Sequence, residues 1–141
     1  MAGVRVLVSV TAVAVVACAV ASSGGAKVRT VGRTAKLPSQ LVGSWTRFVT
    51  AADFARAGVT NEPPQRLSMY VPADGSVAVA EFYVRFSPLS GNRLAISGVV
   101  GCGKRKGIYR WKVANRRLTL TKLQDTCRDA VAIFTGVWNH E

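Results

Sequence analysis

Histidine is almost missing from this 141-residue chain, which has His140 alone, and acids are scarce at seven against nineteen Lys and Arg. One histidine next to the last residue excludes a histidine-rich metal site. It would also leave a catalytic triad hanging on a tail, so His140 reads as an exposed terminal residue. The carboxylates, Asp53, Glu62, Asp74, Glu81, Asp125, Asp129 and Glu141, are scattered, mostly over predicted caps, turns and outward strand positions. Asp125 and Asp129 flank Cys127, but four residues apart at a turn they need no glycosidase role. Three cysteines are too few for a disulfide-rich scaffold. No apolar run reaches the roughly 20 residues of a spanning helix, the longest being Val6 to Ala17. No catalytic residue, metal site or cofactor is expected, and the chain reads as a non-enzyme.

What is present begins with that run. Arg5 followed by Val6 to Ala17, broken only by Ser9 and Thr11, is the layout of a secretory signal over residues 1–21. Its end leaves two alternatives. Val15-Val16-Ala17-Cys18 resembles the lipobox of bacterial lipoproteins, which implies cleavage before Cys18, a diacylglycerol on its thiol and a lipid anchor in the cell membrane. Ala19-Val20-Ala21 before Ser22 is instead a small-x-small site that would secrete a soluble protein. Either outcome accounts for the odd cysteine count. Residues 22–36 are rich in Gly, Ser, Thr and Ala and carry Lys27, Arg29, Arg33 and Lys36, so they read as a flexible basic linker. Beside an acylated Cys18 those charges would lie against anionic headgroups; otherwise they are solvated.

Residues 37–141 are enough for one domain with one core. Runs of Val, Ile, Phe, Tyr, Trp and Thr, separated by Gly, Pro, Asn and Asp, predict an all-β fold. Seven strands are expected: Val42 to Val49, Leu67 to Val71, Val77 to Phe86, Arg93 to Gly101, Ile108 to Val113, Leu118 to Leu123 and Ala130 to Trp138. In the third, alternation puts Ala78, Ala80, Phe82, Val84 and Phe86 on one face, opposite Glu81, Tyr83 and Arg85. In the fifth, Tyr109, Trp111 and Val113 oppose Arg110 and Lys112. A short turn over Ala114-Asn115-Arg116 joins it to the sixth, with Asn115 suited to a left-handed conformation. Thr50 and Asp53 have capping-box spacing and Gly58 is a stop, which predicts one short helix after the first strand.

Gly43-Ser44-Trp45 at the opening of the first strand, followed by that helix and an antiparallel run, resembles the lipocalin-like (calycin) proteins. Gly107 to Trp111, Leu118 to Thr121, Asp125, Cys127 and Gly136-Val137-Trp138 are similar to the C-terminal stretch of exported bacterial members. The resemblance implies a small antiparallel barrel or curved meander, with Gly43, Trp45 and Trp138 as closing residues. It also implies an arginine over the Trp, for which Arg128 is the nearest basic residue in sequence. Its usual activity is non-catalytic binding of a small apolar or amphipathic ligand, here beneath the Thr50 to Gly58 helix. Phe82, Phe86, Trp111 and Phe134, if inward, would leave only a small cavity in a barrel of this size.

Gly98 to Lys104 has the spacing of a phosphate-binding loop, but Arg105 stands where Ser or Thr would bind magnesium and no helix is expected to follow. Cys102 and Cys127 end one strand and open another. In an exported chain they are expected to form a disulfide, a free thiol being the alternative. The net charge of +12 includes local clusters at Lys104, Arg105 and Lys106 and at Arg116 and Arg117, a field that favours anionic partners or, as the alternative, serves only solubility. Nucleic acid is disfavoured by export, leaving anionic lipids or envelope polymers. The alternative function is thus an envelope-associated interaction protein acting through its basic surface. An apolar cavity would favour the binding module, and a filled barrel with a continuous Lys/Arg patch the alternative.

Overall fold

The computed structural model describes residues 35–141. Cys18, the proposed signal and Lys27, Arg29 and Arg33 of the linker lie outside the described residues. A single 3-10 turn, Ser39–Leu41, precedes β1 (Gly43–Val49), α1 (Ala51–Ala57), β2 (Gln65–Val71), β3 (Ser76–Val79) and β4 (Phe82–Leu89). Then come β5 (Arg93–Ser97), β6 (Lys106–Ala114), β7 (Arg117–Gln124), α2 (Arg128–Phe134) and β8 (Gly136–His140). Every strand pairs antiparallel with the next, and β8 returns to β1 through Trp45↔His140 and Thr46↔Asn139, closing an eight-stranded barrel. Because successive strands reverse direction, α1, α2 and the 98–105 loop share one rim. The tight turns at 90–92 and 115–116 lie at the other.

Local chemistry explains these elements. Thr50 Oγ1 accepts from Asp53 N at 3.1 Å while Asp53 Oδ2 accepts from Thr50 N at 2.9 Å, and Gly58 ends α1 in the left-handed region. Two orphan amides of the first turn are thereby satisfied. In the β6–β7 hairpin both Asn115 and Arg116 have positive φ, +50° and +58°, which is the twist a two-residue hairpin requires.

The strand expected over Val77 to Phe86 is two strands. Val79 pairs with Phe82 and Val77 with Val84 across an Ala80-Glu81 turn, with Ala80 at φ +49°. Reversal at that turn puts Val77 and Val79 on the face of Val84 and Phe86, and Ala80 is exposed instead of inward. The strand expected over Ala130 to Trp138 begins as α2 instead. Asp129 lies in its first turn, and Ala130, Ala132 and Phe134 are buried. A seven-residue helix is marginal alone. Packing against α1 and the barrel interior therefore overrides the β-leaning Ala-Val-Ala-Ile-Phe sequence. The strand expected to reach Gly101 stops at Ser97, where Gly98 and Gly101 with positive φ start the loop.

Side chains fill the interior. Trp45, Met69, Phe86, Leu94, Ile96, Tyr109, Leu118, Leu120, Phe134 and Trp138 are each no more than 2% exposed. The Trp45 indole N–H donates to Leu41 O at 3.0 Å and that of Trp138 to Phe134 O at 3.3 Å, so both bury their polar atom paired. Phe134 meets Phe86 and Tyr109 edge to face, carrying α2 into the barrel.

Candidate functional site

The helical rim is held by a buried charge. Arg47 lies between Trp45 and Val49 in β1, so strand alternation turns it inward, and it is only 6% exposed. Its Nη1 donates to Ala132 O at 3.3 Å and Ile133 O at 2.7 Å, in the last turn of α2. Its Nη2 lies 3.4 Å from Asp53 Oδ2 of α1. One guanidinium thus satisfies orphan carbonyls at a helix C-terminus and pairs with the other helix's capping acid. Burial lowers the Arg47 pKa against the opposing pull of Asp53. Burial also works against ionised Asp53, but the Thr50 hydrogen bonds and the Arg47 and Arg56 charges outweigh it and hold that carboxyl below its ordinary range. Gly136 allows the arrangement, since a β-carbon there would come 2.8 Å from the Arg47 guanidinium.

Next to this latch is a cavity of about 250 Å³, open to solvent at the rim. Phe54 and Val59 of the α1 region, Phe82 at the β3–β4 tip, Val99 of the 98–105 loop and Ile133 of α2 form its apolar wall, with Glu62 and Asp129 as its acids. The cysteines fix one side of it. Cys102 and Cys127 are joined, with Cα atoms 5.6 Å apart, tying the 98–105 loop to the start of α2. Asp125 reinforces that join: its Oδ1 accepts from Cys127 N at 2.8 Å and its Oδ2 from the Tyr109 hydroxyl. Burial and then Asp125 raise the Tyr109 phenol, so it stays a neutral donor. Asp125 is therefore a structural acceptor, whereas Asp129 faces the cavity.

Other residues singled out in the sequence are dispersed. The glycine loop ending at Lys104 runs into a strand, not a helix. Lys104, Arg105 and Lys106 are exposed at the helical rim, with Arg105 Nε donating to Cys102 O at 3.0 Å, while Arg116 and Arg117 are exposed at the opposite rim. Trp45 and Trp138 are buried in the two strands at the seam, and Gly43 opens β1 where a β-carbon would come 2.9 Å from the His140 ring. His140 is a strand residue whose ring stands nearly perpendicular to that of Trp45, with the ring centroids 4.9 Å apart. Arg128 donates to Gly58 O at 3.4 Å at the helical rim and does not cover a tryptophan. The residue that sequence reasoning missed is Arg47. Its trace was a cation in phase with Trp45 and Val49, shortly before a capping acid.

No protein-family model matches the chain, and neither a curated protein nor a solved structure matches it significantly.

Proposed function

We propose that this chain is an exported, non-catalytic binding module of lipocalin-like build, taking a small apolar or amphipathic molecule at the helical rim. The observation that carries this reading is the cavity lined by Phe54, Val59, Phe82, Val99 and Ile133. At about 250 Å³ it lies just under the 300 to 1,000 Å³ of drug-sized sites, and the barrel below is packed. The ligand is therefore compact and sits on the rim, not in the barrel axis. Glu62 and Asp129 are its only charged lining residues on a chain with a large cationic excess. A polar or positively charged end would lie by them. The Cys102–Cys127 bridge supports an oxidising compartment. Val15 to Cys18 supports lipid anchoring there, with secretion after Ala21 as the alternative.

Native mass spectrometry of protein isolated from its host should show a retained small molecule. Titration with matched decyl amphiphiles should show decyltrimethylammonium binding more tightly than decyl maltoside, and Phe82→Ala weakening both while the barrel stays folded. Absence of a retained mass together with no binding of either amphiphile would overturn the reading.

A further inference from the structure

The four strands from β4 to β7 contain no Asp or Glu, yet they carry Arg85, Arg93, Lys106, Arg110, Lys112, Arg117 and Lys122. Alternation sorts these cations. In β6 Gly107, Tyr109 and Trp111 are buried, so Lys106, Arg110 and Lys112 point outward, and all three are exposed. Arg93 of β5 is exposed and directly opposite Arg110 in the register, while Thr121 flanks Arg110 on the other side. Lys104 and Arg105 extend the line at the helical rim and Arg116 and Arg117 at the other. One strand therefore links the two clusters that the sequence left apart. At about 3.4 Å per residue the nine-residue strand spans roughly 27 Å.

Like charges placed directly opposite in a sheet are destabilising. Among the described residues, ion pairs are found at Arg47 and Arg56 with Asp53, and none involves this line. Arg93 is held instead by Ser90, its Nε donating to Ser90 O and its Nη2 to Ser90 Oγ, both at 2.9 Å. That grip holds it beside Arg110 in strands that contain no acidic residue.

We propose that the outer face of β5–β6 binds a linear polyanion of phosphate groups laid along β6, with Arg93 and Arg110 as the central clamp. Guanidinium forks suit phosphate oxygens, and a line of cations down a convex barrel suits an extended chain. A lipid surface fits less well, because none of the large exposed apolar side chains among the described residues stands on β5 or β6: Tyr83 and Leu89 are on β4, Leu123 is on β7 and Val100 is in the 98–105 loop, and the rest lie on β1, β2 and β8.

Long-chain inorganic polyphosphate is the probe, with tripolyphosphate and phosphatidylglycerol vesicles as comparators and the full chain, with its disulfide intact, as the protein. The long chain should bind much more tightly than tripolyphosphate. In the variant R93S/R110T its affinity should fall roughly tenfold or more and its log–log salt slope by about two, whereas the equally discharged Lys36→Ser/Arg66→Ser pair should keep most of the affinity. R93S/R110T should also melt no lower than the parent, because it relieves a repulsion, so lost binding cannot be ascribed to unfolding. The proposal is overturned if the two double variants lose binding equally, if tripolyphosphate matches the long chain, or if vesicles bind more tightly and the clamp variant spares polyphosphate. None of these outcomes depends on the rim cavity.

Discussion

Removing the buried guanidinium of Arg47 should cost more than any other surface-to-core charge change in this barrel. Breaking one partner out of a buried ion pair costs about 3 to 5 kcal/mol. Asp53 keeps Thr50 and the exposed Arg56, whose Nη2 is 2.9 Å from Oδ1, so its own loss is softened. The carbonyls of Ala132 and Ile133 have no such substitute, and an unsatisfied buried acceptor costs about 1 to 3 kcal/mol. We therefore expect Arg47→Ala to destabilise by about 3 kcal/mol. For a domain of this size that lowers the melting temperature by roughly 12 to 20 °C. Arg47→Met separates packing from charge, since it keeps an apolar stem of similar length but offers no donor. Arg47→Lys keeps the charge but cannot serve two carbonyls and a carboxylate together. Equilibrium urea unfolding of the oxidised protein, followed through the buried tryptophans, should rank the variants parent, Lys, Met, Ala. A double-mutant cycle with Asp53→Asn should give a coupling of about 1 to 2 kcal/mol. Arg47→Met within 1 kcal/mol of the parent would refute the latch, because the stem alone would then explain the burial of Arg47.

Replacing both Cys102 and Cys127 with Ala should destabilise the domain by about 3 to 4 kcal/mol, given their separation of 25 residues, as read from thermal melts; a loss under 1 kcal/mol would contradict it. Asp53 is held below its unfolded pKa, so its contribution is complete above that value, near pH 4, and is lost as the pH falls through the lower folded value. Acid titration of stability should accordingly be steeper below about pH 4 in the parent than in Asp53→Asn, and parallel curves would count against it. Cys18→Ala should move the protein from the membrane fraction to the soluble one, and a parent that is already soluble and starts at Ser22 would replace the anchor with plain secretion.

Pattern and cap chemistry made much of this fold legible. Alternation in Tyr109-Arg110-Trp111-Lys112 and the Thr50/Asp53 box are local, and the observed strand and helix follow them. The Ala80-Glu81 turn was not legible, because neither residue announces a reversal and alternation continues through it in the wrong phase. Helix α2 was hidden for a related reason: tertiary packing, not propensity, decides seven residues of Ala, Val, Ile and Phe. At the rim, Phe54 and Phe82 are brought together by topology, as are Arg93 and Arg110 on the outside. Contacts between residues far apart in sequence leave no periodic trace, which is why two basic clusters were visible and the clamp between them was not.

The seam between β1 and β8 has a consequence for assembly in time. Until β8 is seated, the backbone amides and carbonyls along the outer sides of β1 and β7 have no partner, and both strands are templates for a neighbouring chain. β8 is the last of the described elements and registers on β1 through two pairs. A chain emerging N-terminus first would expose those open margins until residues 136–140 had arrived. Self-association should therefore be concentrated in species lacking that final strand, and the share of chain lost on the way to the closed form should rise with chain concentration.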